Sequence, residues 1–385
     1  MPDYFITSES VTEGHPDKLC DQIADALLDE YMSRDRDSRV AIEVMAAGDV
    51  VLIAGEVTSG APMEMEAVEA TARRVIGEAG YTRSSGIDCR NCLIMTHIRK
   101  QSADIKIGVD KKADKATGAG DQGIMYGYAT AETENFMPLP IALAHRLARR
   151  LAELRKDRTL PWLRPDGKTQ VTVRYGGDGG PLYVSGVVVS TQHDESVDIG
   201  DLRPEILNRL IMPVLGDRWF NEKTAVYINP TGRFILGGPT ADTGLTGRKI
   251  MVDTYGGAAK HGGGAFSGKD PTKVDRSAAY MARYAAKNLV ACGLADRCEV
   301  SAAYAIGLPE PVAINVCTFG TGKIDDEKLS ILTGRIFPFS VDGIMEELDL
   351  RNTKYRPAAV YGHFGRSREN SSFTWETVKD LSRCI

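Results

Sequence analysis

Apolar residues recur at every fourth position near the start of the chain. The positions are Leu19, Ile23, Leu27 and Tyr31. This spacing predicts an amphipathic helix. Two strand-like runs follow, over 40–46 and 50–57, and Gly48-Asp49 between them is typical of a hairpin turn. A second helix is expected from Pro62 to about Glu78, so the pattern is helix, hairpin, helix.

The same order recurs twice further along the chain. The second occurrence has a helix over 141–156, strands over 171–175 and 182–190, and a helix over about 202–212. The third has a helix from Val274, strands over 299–305 and 312–318, and a helix from Asp325 to about Leu332. Repetition at a long period indicates repeated units, with chance similarity as the alternative. We therefore predict an α+β fold of three similar helix–hairpin–helix subdomains with mixed or antiparallel sheets.

The predicted units are separated by a charged segment with little periodicity. We expect an N-terminal subdomain over 1–101, a flexible lid and connecting loop over 102–122, a central subdomain over 123–235 and a C-terminal subdomain over 236–385. A long loop without its own structure inside a compact protein is usually an active-site lid or disordered. We expect this loop to be mobile without ligand and to order over a filled site.

Composition narrows the possible functions. The net charge of −5 over 385 residues gives no general attraction to nucleic acid or membranes, so any anion site must be a local concentration of Lys and Arg. Residues 1–20 lack a signal-peptide pattern, and no apolar run is long enough to span a bilayer. Seven scattered cysteines are typical of a reduced, cytoplasmic protein.

A glycine-rich loop over 262–268 precedes the third-unit helix. Asp270 and Pro271 are helix-start signals, and Lys269 and Lys273 add positive charge. A glycine-rich loop that leads into a helix N-terminus predicts an anion site, with phosphate as the first expectation. A Walker motif is rejected because Asp270 replaces its Ser or Thr and no apolar strand precedes the loop. A surface loop that only caps a core helix is the structural alternative.

Further charged residues lie beside glycine-rich turns elsewhere in the chain. The cations are Lys168, Arg248, Lys249, Lys269 and Lys273, and the carboxylates are Asp17, Asp121, Asp242 and Asp275. His15 lies between Gly14 and Pro16. Several Lys and Arg with one or two carboxylates are the set that polyphosphate and magnesium need. Each residue is a weak signal by itself, since Asp beside Gly is usually part of a turn.

Four motifs together resemble the S-adenosylmethionine synthetase (methionine adenosyltransferase) family, in its bacterial form. They are Gly14-His15-Pro16-Asp17-Lys18, Gly118-Ala119-Gly120-Asp121-Gln122-Gly123, Asp166-Gly167-Lys168, and GGGAFSGKDPTKVDRSAAY over 262–280. The resemblance extends from Phe5 to about Trp375. It implies three similar subdomains around a pseudo-threefold axis. It also implies that methionine sulfur attacks C5′ of ATP and that the displaced triphosphate is hydrolysed to diphosphate and phosphate.

The resemblance also implies roles for individual residues. Polyphosphate would contact His15, Lys168, Arg248, Lys249 and Lys269, and the ATP site would also include Asp166, Gly167, Arg233, Phe234, Asp242 and Ala265. Methionine would contact Glu56, Gln101, Asp242 and Lys273, with Asp121 close to methionine and adenosine. Asp17 and Asp275 would bind magnesium, two ions per site, and Glu43 would bind one potassium ion per subunit. The catalytic set would be His15, Lys168, Arg248, Lys269 and Asp121. Active sites shared between two subunits imply a homodimer, commonly paired into a tetramer.

Two other functions are compatible with a phosphate site. An ATP-dependent phosphotransferase would transfer one phosphoryl group and release ADP. A nucleotide-binding or RNA-binding regulatory module would use the basic stretch over 99–115 as its contact surface. The negative net charge and the lack of aromatic residues interleaved with the basic ones argue against this module.

Overall fold

The computed structural model describes residues 2–82, 84–100, 116–366 and 373–381. Gln101 and the predicted lid up to residue 115 lie outside these described residues. No helix in the described ranges is long and apolar enough to cross a membrane.

Hairpins, single strands and helices follow one another along the chain. The strands are β1 (Tyr4–Val11), β2 (Arg39–Ala47), β3 (Val50–Thr58), β4 (Leu93–Arg99), β5 (Gly123–Thr130), β6 (Leu163–Tyr175), β7 (Pro181–His193), β8 (Ala225–Ile228), β9 (Gly244–Leu245), β10 (Arg297–Tyr304) and β11 (Ala313–Cys317). The helices are α1 (Pro16–Arg34), α2 (Met65–Glu78), α3 (Leu139–Lys156), α4 (Ile199–Ile206), α5 (Met212–Trp219), α6 (Ile250–Asp253), α7 (Val274–Ala291), α8 (Asp326–Ile336) and α9 (Val341–Glu347). A π-helical turn, Leu207–Ile211, joins α4 to α5.

The strands form three sheets, with orders β1-β6-β7-β8, β11-β10-β5 and β4-β3-β2-β9. The pairs β3–β4 and β7–β8 are parallel, and the other pairs are antiparallel. The predicted α+β class with mixed and antiparallel sheets is confirmed. Each sheet contains one of the hairpins β2–β3, β6–β7 and β10–β11.

Each hairpin pairs with a strand that precedes a different hairpin in the chain. Strand β1 precedes the first hairpin but pairs with β6 of the second, from Tyr4 opposite Tyr175 to Val11 opposite Lys168. Strand β5 precedes the second hairpin but pairs with β10 of the third. Strand β9 precedes the third hairpin but pairs with β2 of the first, where Met45 lies opposite Leu245. The three sheets are therefore linked in a cycle.

Two local details near the predicted motifs differ from the sequence prediction. Helix α7 begins at Val274, as predicted, but its N-cap is Lys273 and not Asp270. Asp270 instead holds the turn before the helix, where its carboxylate accepts hydrogen bonds from the backbone N–H groups of Thr272 and of the distant Val40. Strand β6 begins at Leu163, because Pro-Asp-Gly over 165–167 forms an irregularity within the strand where a turn would have been expected.

Candidate functional site

His15 lies at the N-terminus of α1 and is buried. Its Nδ1 accepts a hydrogen bond from the backbone N–H of Asp17 at 3.2 Å, so the ring proton is assigned to Nε2. Burial and the positive charges of Lys249 and Lys168 lower the pKa of His15 to about 3. The neutral ring therefore presents an Nε2–H donor that has no partner within the described part of the chain.

Asp17, two residues after His15, is also buried. Its Oδ1 accepts a hydrogen bond from the backbone N–H of Leu245 at 3.0 Å, and its Oδ2 lies 2.7 Å from Lys249 Nζ. Burial opposes ionisation, but the hydrogen bonds from Lys249 and Leu245 lower the pKa of Asp17 below its usual value. Arg248 is 3.7 Å from the same carboxylate. The structure thus brings the predicted basic pair and a predicted metal ligand together.

The Asp166-Gly167-Lys168 motif packs against the His15 turn. A Cβ atom on Gly14 would lie 2.4 Å from the carbonyl oxygen of Pro165, so this contact requires glycine. The carbonyl oxygen of Gly167 accepts from the backbone N–H of Thr12 at 2.9 Å. Burial raises the pKa of Asp166 to about 6, and its Oδ2 accepts from Gly238 N–H at 2.8 Å. Lys168 is exposed beside it.

The loop over 233–242 adjoins the same motif. His193, at the end of β7, forms two hydrogen bonds with Phe234. The backbone N–H of Phe234 donates to Nε2 of His193 at 3.1 Å, and the backbone N–H of His193 donates to the Phe234 carbonyl at 2.9 Å. Asp242 N–H donates to the carbonyl of Gly238, whose own N–H binds Asp166. The side chains of Arg233 and Asp242 are exposed.

A cleft of about 440 Å³ gathers a second group of predicted residues. Its lining includes Glu56, Asp121, Lys269, Lys273 and Asp275. Lys269 Nζ lies 2.6 Å from Asp275 Oδ2, and Lys273 Nζ lies 2.9 Å from Asp270 Oδ2. The predicted methionine contacts Glu56 and Lys273 therefore share one cleft with a predicted polyphosphate contact and a predicted magnesium ligand.

The outer face of the β4-β3-β2-β9 sheet leads from this cleft to an apolar surface. Cross-strand rows can be read from the register of the strands. The row at the cleft consists of Lys269, Ala41, Glu56 and Arg99. The next row consists of Glu43, Ala54 and His97. The third row, farthest from the cleft, consists of Leu245, Met45, Leu52 and Met95. Met45 is 41% exposed and Met95 is 50% exposed. Glu43, the predicted potassium ligand, is exposed between the cleft and the apolar row.

His15, Asp17, Arg248 and Lys249 do not line the cleft. In one chain, the predicted site residues thus form two groups, one at the N-terminus of α1 and one in the cleft. The loop that carries Arg248 and Lys249 packs closely against the loop that carries Lys269. At this contact, a Cβ atom on Gly247 would lie 2.5 Å from the Cβ of Ala265.

Sequence reasoning missed two buried carboxylates on α1. Asp21 accepts a hydrogen bond from the backbone N–H of Gly247, and Asp25 accepts one from Gly268. These glycines directly precede Arg248 and Lys269. The available signal was the recurrence of Asp at every fourth position from Asp17 to Asp29.

Comparisons with known proteins cover nearly the whole chain. Family models match residues 3–103 as the S-adenosylmethionine synthetase N-terminal domain, 116–234 as the central domain and 236–377 as the C-terminal domain. The chain is 56% identical to S-adenosylmethionine synthase 1 of Rhodospirillum rubrum and 55% identical to that of Rhodopseudomonas palustris, over 98% of this chain and 96% of each relative. It is 53% identical to S-adenosylmethionine synthase of Desulforudis audaxviator, over 98% of this chain and 97% of that protein. The chain therefore belongs to the S-adenosylmethionine synthetase family and is a methionine adenosyltransferase.

Proposed function

We propose that this chain makes S-adenosylmethionine by attack of the methionine sulfur on C5′ of ATP, and that it hydrolyses the displaced triphosphate to diphosphate and phosphate. The observation that carries the proposal is the buried Nε2–H donor of His15, a residue whose pKa is lowered by burial and by the charges of Lys249 and Lys168. A preorganised donor among fixed cations suits an oxygen on which negative charge develops.

The chemistry of the reaction explains why cations dominate the site. A thioether is neutral and nucleophilic, so the attack needs no general base. The leaving triphosphate is highly charged, and His15, Lys168, Arg248, Lys249 and Lys269 would stabilise it. The ATP site would also include Asp166, Gly167, Arg233, Phe234, Asp242 and Ala265. Glu56, Gln101, Asp242 and Lys273 would orient methionine, and the Asp121 carboxylate would stabilise the positive sulfonium.

The donor chemistry of the site fits the metals that we propose for it. Asp17 and Asp275 would bind magnesium, two ions per site, and Glu43 would bind one potassium ion per subunit. The described residues contain no cluster of three His, Cys, Asp or Glu side chains suited to a metal, so phosphate oxygens and water would complete the coordination, as is usual for magnesium. When bound, magnesium supplies charge neutralisation to the phosphates.

We propose that the protein is a homodimer with shared active sites, and that two dimers form a tetramer. The apolar row of Leu245, Met45, Leu52 and Met95 supports this assembly, because contiguous exposed apolar surface marks protein interfaces. The row lies on the same sheet face as Glu56 and Lys269. A second subunit on this face would therefore also border the cleft and could complete the site.

The dimer proposal predicts the effect of a charge in the apolar row. Met45→Lys should give a monomer in sedimentation velocity and abolish synthesis, because a buried lysine without a partner is costly at an interface. Ile331→Lys is the control, since Ile331 is 53% exposed on α8, a helix that packs against β11 of a different sheet. A dimeric, active Met45→Lys protein would contradict the proposed interface.

The cyclic exchange of β1, β5 and β9 supports a further proposal, that the three units are related by a pseudo-threefold axis. Each unit passes one strand to the next in the same rotational order. Two further points stay predictions: the subdomain limits, at 1–101, 123–235 and 236–385, and the cytoplasmic location.

Product analysis tests the proposed function directly. With ATP and methionine, the protein should release phosphate and diphosphate in equal amounts, without ADP, and release should depend on methionine. Chromatography of the nucleotides and a coupled phosphate assay measure these products. ADP formation would support the phosphotransferase instead, and the absence of any product would support a binding module.

A further inference from the structure

Four aspartates on one face of α1 accept backbone hydrogen bonds from distant segments. The spacing of four residues places side chains on the same face of a helix. The pairs are Asp17 with Leu245 N–H at 3.0 Å, Asp21 with Gly247 N–H at 2.9 Å, Asp25 with Gly268 N–H at 2.9 Å, and Asp29 with the N–H groups of Tyr355 and Arg356 at 2.7 and 3.1 Å. We call Asp17, Asp21, Asp25 and Asp29 the aspartate ladder.

The loops that donate hydrogen bonds to Asp17, Asp21 and Asp25 also form backbone hydrogen bonds with β2. Thr246 N–H donates to the carbonyl of Val44 at 3.0 Å, and Ile42 N–H donates to the carbonyl of Gly268 at 3.0 Å. The segments around Gly247 and Gly268 therefore lie along the edge of β2. The carboxylates of α1 occupy the place where the carbonyls of another strand would otherwise accept these N–H groups.

Asp21 and Asp25 are completely buried, and each has a buried cation as partner. Lys18 Nζ lies 3.0 Å from Asp21 Oδ2 and also pairs with Asp253. Arg276 binds both oxygens of Asp25, at 2.6 and 2.8 Å, and donates to the carbonyl of Lys269 at 3.1 Å. Because a buried charge is tolerated only when it is paired and hydrogen-bonded, these contacts allow little movement of the two loops.

We propose that Asp21 and Asp25 are positioning residues that fix the triphosphate-binding cations of the two loops. Asp21 would set the position of Arg248 and Lys249 through Gly247, and Asp25 would set that of Lys269 through Gly268 and Arg276. This inference rests on the proposed function. Cations fixed in advance need no reorganisation when the leaving group forms, so a small displacement of the loops reduces the rate.

The experiment compares Asp21→Asn and Asp25→Asn with Asp29→Asn. Asp29 belongs to the same ladder, but the backbone that it binds at Tyr355 and Arg356 carries no proposed site residue. Asn retains the size and one acceptor oxygen of Asp but removes the charge. We expect the first two changes to lower kcat about a hundredfold and to weaken binding of imidotriphosphate, a non-hydrolysable triphosphate analogue, in calorimetry. Asp29→Asn should lower the Tm while kcat and this affinity stay close to the wild type.

If Asp21→Asn and Asp25→Asn fail to fold, a second variant tests whether the position of the loop at Gly247 controls kcat. Gly247→Ala leaves all carboxylates intact but forces the loop away from Ala265, since its Cβ would lie 2.5 Å from the Ala265 Cβ. It should lower kcat and weaken imidotriphosphate binding in the same way. The inference is wrong if Gly247→Ala keeps full kcat, or if folded Asp21→Asn and Asp25→Asn behave like Asp29→Asn. Failure of the wild type to release phosphate and diphosphate would instead refute the proposed function.

Discussion

Lys269→Ala is expected to lower kcat by about a hundredfold or more, the usual effect of removing one preorganised electrostatic contact to a transition state. Lys269 Nζ lies 2.6 Å from Asp275 Oδ2 at the cleft, and Lys269 is one of the cations that we propose to stabilise the triphosphate. Lys273→Ala should mainly raise the KM for methionine, because Lys273 lines the same cleft with Glu56. Steady-state kinetics with each substrate varied in turn would measure both effects.

Lys260→Ala is the matched control for these two changes. Lys260 precedes the same glycine-rich loop, but its Nζ lies 2.8 Å from Glu299 and it does not line the cleft. Its removal changes the charge equally and should leave both kinetic constants near those of the wild type. Equal and modest effects of Lys269→Ala and Lys273→Ala on both substrates would reject the division of roles between the two lysines.

His15→Asn should slow formation of S-adenosylmethionine by about a hundredfold or more, in line with the loss of one preorganised donor. Hydrolysis of added triphosphate should fall much less, since that step does not break the bond to ribose. Asn is among the best helix N-caps, so its side chain can replace Nδ1 as the acceptor of the Asp17 N–H while the Nε2 donor is lost. Single-turnover assays of each step would separate the two rates.

His15→Ala provides the comparison for stability, because it removes both the cap and the donor. The Tm should fall for His15→Ala and change little for His15→Asn. If both variants lose the two reaction steps together and in proportion to Tm, His15 only shapes the turn. Burial and the charges of Lys249 and Lys168 lower the pKa of His15 to about 3, which favours donation by a neutral ring over transfer from an imidazolium.

Periodicity was sufficient to predict α1 but not the surroundings of its polar face. The apolar positions Leu19, Ile23 and Leu27 are offset by two residues from Asp21 and Asp25, so the two sets lie on nearly opposite faces of the helix. A polar stripe opposite an apolar stripe normally faces solvent. In this protein the polar stripe is buried against Gly247 and Gly268, which are distant in sequence. A local sequence pattern carries no information about such distant partners.

The glycine-rich motifs were recognisable in the sequence, but the contacts that require some of these glycines come from distant segments. Gly14 and Gly268 are examples: a Cβ atom would lie 2.4 Å from the Pro165 carbonyl oxygen at the first and 1.9 Å from the Ile42 carbonyl oxygen at the second. The pairing of β9 with β2 was not predictable, since β9 contains only Gly244 and Leu245. Two residues are too short for a recognisable strand pattern.

The cycle of exchanged strands has a consequence for the newly made chain. As the ribosome proceeds from the N-terminus, β2 and β3 emerge early, but the edge of β2 receives β9 only when Gly244 and Leu245 have been synthesised. Unpaired edges of incomplete sheets are sites of aggregation. The nascent N-terminal sheet therefore exposes the edge of β2, with the apolar Met45 on that strand, throughout synthesis of the central region.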